Sequence, residues 1–126
     1  MEVNVKISKI SELLDAPIIA GAGDVNGEVQ YGYGCDLMSD VLAYVQSDVV
    51  LLTGLMHPQV IRTAEMLDIK AIVIVRGKQP GQDLIEMANR RDLVIMSTKH
   101  SLFTASGLLY DGGLMGEEIA HDGLKV

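Results

Sequence analysis

The spacing of apolar positions changes along the chain, and each change marks an element. From Val3 to Ile7 apolar and polar residues alternate, which predicts a short, half-buried strand. From Ser8 the apolar positions fall at Ile10, Leu13 and Leu14, a helical i, i+3, i+4 set with Ser8 as its expected N-cap and Pro17 as its terminator. Pro17-Ile18-Ile19-Ala20 predicts a second strand and Gly21-Ala22-Gly23-Asp24 a turn. Val25 to Tyr33 has strand character broken by glycine, and its direction in a sheet is left open. Asp36 is the expected N-cap of a helix whose apolar face is Leu37, Met38, Val41, Leu42 and Val45 and which closes at Ser47-Asp48.

Beyond this point one unit repeats: an unbroken apolar strand, a polar exit loop and an amphipathic helix. The strands are Val49–Leu52, Ala71–Val75 and Leu93–Met96, and the helices run over about Pro58–Leu67, Pro80–Asn89 and Ser101–Leu109. Strands without alternation are those covered on both faces by helices, and successive units of this kind need right-handed crossovers. The expected fold is α/β, a three-layer α/β/α sandwich with a mostly parallel sheet. Residues 1–126 are read as a single domain with a Gly-rich tail from about Asp111.

A chain of 126 residues suffices for one core, and its 48% apolar content with no Trp and a single Phe makes that core aliphatic. The seven methionines sit mostly beside other apolar residues, so core packing is expected ahead of an adaptable binding surface. A net charge of −7 has the wrong sign for a phosphate backbone or an anionic lipid leaflet, which argues against nucleic-acid and membrane partners. Cys35 is the only cysteine, so an internal disulfide and a cysteine-ligated cluster within one chain are both excluded. Met1–Lys9 has no apolar run of signal-peptide type, and no stretch approaches the roughly 18 residues of a membrane span, so a cytoplasmic location is expected.

Ligands of open parallel sheets bind outside the carboxyl ends of the strands. Here those exits read Thr53-Gly54-Leu55-Met56-His57-Pro58, Arg76-Gly77-Lys78 and Ser97-Thr98-Lys99-His100-Ser101. They place Arg76, Lys78, Lys99, His57 and His100 on neighbouring loops of an acidic chain, beside the helix N-termini at Pro58 and Ser101, which suits phosphate or carboxylate. The bland reading stands beside it: solvated loop cations, with His57 and Ser101 as helix caps. The candidate ligand-binding set is Gly32, Gly34, Asp36, Thr53, His57, Arg76, Lys78, Thr98, Lys99 and Ser101.

Catalysis is not expected. No Gly-rich loop ends in Gly-Lys-Ser or Gly-Lys-Thr, so a nucleoside triphosphatase or kinase is unsupported. Asp36 and Asp40 have metal-sharing spacing but no third ligand near them, and capping explains them more simply. Cys35 paired with His57 or His100 is weighed as a nucleophile against a small buried hydrophobe, and the second is preferred. The histidines lack the spacing of a zinc helix. No catalytic residue, metal ligand or cofactor is assigned.

Gly34-Cys35-Asp36-Leu37-Met38-Ser39-Asp40-Val41-Leu42-Ala43, then Leu52-Thr53-Gly54 and His57, then Ala71-Ile72-Val73-Ile74-Val75-Arg76-Gly77-Lys78-Gln79-Pro80, resemble the DRTGG domain family over about Val5–Tyr110. The resemblance implies a fold like the N-terminal domain of HPr kinase/phosphorylase and a regulatory role, as in proteins where such a domain adjoins nucleotide-binding CBS modules. The name-giving segment of that family is sought near Asn26–Gly32, which has little Asp-Arg or Thr-Gly character. The resemblance also implies a homodimer. The function expected is a non-catalytic, ligand-sensing domain for a small anion such as an adenine nucleotide. The alternative is a protein-interaction module serving an iron-hydrogenase or electron-transfer enzyme, with no small ligand.

Overall fold

The computed structural model describes residues 4–45 and 48–116. Val5–Lys6 (β1) pairs antiparallel with Glu28–Val29 (β3), a small ribbon apart from the main sheet. Ile7–Leu14 (α1) follows β1 directly. Ser8 therefore lies within the first turn instead of capping it; Lys6 holds the cap position without a side-chain hydrogen bond. The helix ends because Asp15 turns left-handed and Pro17 cannot continue it.

The main sheet has six strands in the order β2, β7, β6, β5, β4, β8. These are Ile18–Ala20 (β2), Tyr31–Gly34 (β4), Val49–Thr53 (β5), Ala71–Ile74 (β6), Val94–Ser97 (β7) and Met115–Gly116 (β8). All neighbours run parallel except β2, which lies antiparallel on β7. The direction left open for the glycine-broken segment is settled: it divides into β3 and a β4 parallel to β5. Asp111 ends the last helix and Met115–Gly116 joins the sheet beside β4. The tail from Glu117 and the expected helix close at Ser47 lie outside the described residues.

Helices Met38–Tyr44 (α2), Pro58–Met66 (α3) and Gln82–Arg90 (α4) cover one face of the sheet, while α1 and Leu102–Asp111 (α5) cover the other. Period two divides each central strand between the two layers. Val50, Leu52, Val73 and Val75 pack with Ile10, Leu14 and Leu109 under α1 and α5. Leu51, Ile72 and Ile74 pack with Val41, Ile61 and Leu84 under the other three helices. The cores are aliphatic, but methionine divides its roles: Met38 and Met96 are buried, whereas Met56, Met66 and Met115 are exposed. Leu37 and Leu42, expected on the apolar face of α2, are also exposed; Met38, Val41 and Val45 supply that face.

Candidate functional site

The carboxyl ends of β4, β5, β6 and β7 meet along one edge, and the loops leaving them are cross-linked. After β5, Gly54 is the junction. Its N–H donates to Asp36 Oδ1 at 2.7 Å, and its carbonyl accepts from Lys78 Nζ at 2.9 Å. A Cβ added at Gly54 would run into the guanidinium of Arg76, so that group packs against the bare α-carbon. Thr53 Oγ1 donates to the same Asp36 oxygen at 2.9 Å and accepts from Leu55 N–H at 3.1 Å.

Asp36 was expected to cap α2, but Leu37 occupies the cap position and the Asp36 carboxylate turns across to β5. Two donors from β5 and its exit outcompete a helix with only seven residues to offer. The Gly54 N–H bond holds the carboxyl below its ordinary value, aided by the Thr53 hydroxyl and the charges of Arg76 and Lys78; partial burial opposes them. Asp36 is thereby a fixed anion beside two cations. It also forms no helical pair with Asp40, which ends the metal-sharing geometry read from their spacing.

The exits of β6 and β7 are joined more closely still. Arg76 and Gly77 both have left-handed backbone, with φ of 65° and 69°. This turn sends Arg76 N–H to His100 O and Gly77 N–H to Thr98 O, each at 2.8 Å. Ser97 Oγ donates to Lys78 O at 2.8 Å, and Gln79 Nε2 donates to Ser97 Oγ at 3.3 Å. Arg76, Lys78, Lys99 and His100 therefore ride on two loops held as one. None of the ion pairs found among the described residues engages them. Beside Lys99 and His100 opens a cleft of about 490 Å³, whose lining also includes Asp15, Pro17, Ile19, Gly77 and Gln79.

The expected site residues thus divide. Asp36, Thr53, Arg76 and Lys78 converge around Gly54, and Lys99 and Thr98 line the adjoining cleft. Thr98 serves the fold there, since its buried hydroxyl donates to Leu14 O at 2.8 Å. His57 and Ser101 are helix caps, accepting from Gln59 N–H and Thr104 N–H. Gly32 and Gly34 stand apart from the cations, in an apolar groove of about 180 Å³ with Tyr110 and Met115. Cys35 is partly buried, its sulfur bonded to the Leu37 backbone. Gly54, Gly77, Gln79 and Ser97 were missed; a Thr-Gly leaving a fully buried strand was the available signal for the first. Among the described residues no three His, Cys, Asp or Glu side chains gather where a metal ion would bind, and no helix is long and apolar enough to cross a membrane.

No family model matches the sequence, and no curated protein does. Among solved structures, the chain is similar to the CBS and DRTGG domains of the regulatory region of Clostridium perfringens pyrophosphatase, complexed with its activator diadenosine tetraphosphate. The TM-score is 0.68 at 17% identity over 96% of this chain. The match spans 53% of that structure's length, and at this identity the likeness is one of fold.

Proposed function

We propose that this chain is a DRTGG-type regulatory domain that binds a small anionic ligand, such as an adenine nucleotide, at the carboxyl edge of its sheet. The observation that carries this reading is the fusion of the exit loops bearing Arg76, Lys78, Lys99 and His100, with Lys99 and His100 lining a nucleotide-sized cleft. Phosphate chemistry suits Lys99, and the apolar Pro17 and Ile19 of the cleft lining suit a ring system. The resembled pyrophosphatase region is regulatory and was solved with a dinucleotide activator, which agrees with a sensing role.

A thermal-shift panel of AMP, ADP, ATP, diadenosine polyphosphates, acetyl phosphate and pyrophosphate tests the reading. A ligand at about 100 times its Kd stabilises by about 2.7 kcal/mol, which raises the Tm of a chain this size by several degrees. The shift is expected to vanish when Arg76 and Lys99 are both replaced by Glu. A flat panel overturns the sensor reading.

A second reading rests on α5. Phe103 is 89% exposed, Tyr110 74% and Met115 49%, and no charged residue occurs from Ser101 to Tyr110. In a chain of net charge −7, this uncharged face lets a second copy approach without local repulsion. Phe103 and the groove-lining Tyr110 lie seven residues apart on α5, hence on one helix face, which suits the isologous contact of a two-fold dimer. Light scattering after size exclusion should show a dimer for the native chain and a monomer for Phe103→Glu. A native monomer would remove the homodimer and leave the face for a partner enzyme, including the hydrogenase or electron-transfer kind expected from the resemblance.

A further inference from the structure

We infer that Gln79 reads the base of the ligand and selects one with an exocyclic amino group, as in adenine, an inference that rests on the anion-sensor reading above. Gln79 and Ser97 both line the cleft, together with the apolar Pro17 and Ile19. The hydrogen bonds between them fix which way the Gln79 amide turns. The Ser97 hydroxyl has one proton, and it donates that proton to Lys78 O at 2.8 Å. Towards Gln79 the hydroxyl can then only accept. The amide therefore presents Nε2 to it, at 3.3 Å, and turns Oε1 away. Ser97 belongs to β7 and is buried, so the anchor of this amide is part of the sheet.

Among the described residues no donor is found on Oε1, and Gln79 is an exposed residue. The cleft thus holds a neutral acceptor of set orientation in the same lining as its apolar side chains. An acceptor is of no use to a phosphate, which brings only further acceptors. It suits the other end of a nucleotide. Adenine offers the donor, its N6 amino group, on a ring whose faces suit Pro17 and Ile19. Guanine carries an oxygen at the same ring position and would set acceptor against acceptor. Glutamine amides pair with adenine in this sense wherever its amino edge is read. The charge of Lys99 then serves any phosphate, while Gln79 chooses the base.

The test measures binding of ADP, purine riboside 5′-diphosphate and pyrophosphate by calorimetry to the native chain and to Gln79→Leu, with melting curves confirming that the variant folds. The purine compound is ADP without its amino group. Leucine removes Oε1 and leaves Ser97 its bond to Lys78 O. The native chain is expected to bind ADP about fivefold more tightly than the purine compound, the worth of one neutral hydrogen bond. Gln79→Leu should erase that preference by weakening ADP, with pyrophosphate unchanged. Equal native affinity for ADP and the purine compound overturns this inference and leaves the anion sensor standing. Parallel loss of all three ligands in Gln79→Leu also overturns it, because Gln79 then only orders the loops. If neither nucleotides nor pyrophosphate bind the native chain, both readings fall.

Discussion

Arg76 has a φ of 65°, a conformation that costs an L-residue with a Cβ about 1–2 kcal/mol. Glycine adopts it freely, so Arg76→Gly should leave thermal stability unchanged or higher while removing one ligand cation. Paired melting and titration curves check this, and a large fall in Tm would show that the guanidinium holds the loops instead of awaiting a ligand. Asp36 gives a prediction in pH. Its folded pKa is lowered from 3.8, so its contribution to stability is full above that value and is lost as pH falls through the lower folded value. Below pH 4 the native chain should therefore lose stability more steeply than Asp36→Asn, measured as Tm against pH. The residue types at this site were visible in the sequence, but the partner of Asp36 was not. A cap two residues away and a hydroxyl seventeen residues away look equally open until the chain is folded.

At the scale of elements, the repeated strand-helix units were legible because long apolar runs and three-to-four spacing report burial directly. The short ones were not. β8 has two exposed residues and no pattern of its own; only the β4 edge recruits it. α1 begins two residues earlier than a Ser cap suggests because burial of Ile7 beneath the sheet outweighs local capping. The turn after β2 carries a sharp expectation. Gly21 has φ of 68°, donates its N–H to Asn89 Oδ1 at 2.8 Å, and a Cβ there would strike the Leu93 backbone. Gly21→Ala should cost more than about 2 kcal/mol in denaturant unfolding, because both the backbone conformation and the close approach oppose it. On β7, Met96 is fully buried between β6 and α1's layer, and Met96→Ala should cost about 2–5 kcal/mol.

Across the whole molecule, an acidic chain places three of its ten Lys and Arg residues on neighbouring loops at one edge of its sheet, and that contrast has a measurable consequence. The attraction for anions proposed for this site is local, whereas the repulsion from a net charge of −7 is spread over the surface. Added salt screens both, but loop cations in contact with a ligand lose more than distant carboxylates do. Nucleotide-induced stabilisation should therefore shrink as salt rises from about 0.05 to 0.5 M, where the Debye length falls below about 5 Å. A shift insensitive to salt would point to recognition by the cleft's apolar wall without the cations.

The sequence by itself determined the class of fold, the aliphatic character of the core and the strand exits as the place to look, because burial leaves a period in the chain that can be read locally. It also set the charge that argues against polyanionic partners. The tertiary structure decided which loop residues act together. It sent Asp36 to Gly54, fused the Arg76 and Lys99 loops, made His57 and Ser101 caps, and moved Gly32 and Gly34 to a separate groove. Those choices depend on strand order and on hydrogen bonds between residues far apart in sequence, for which a linear chain carries no period.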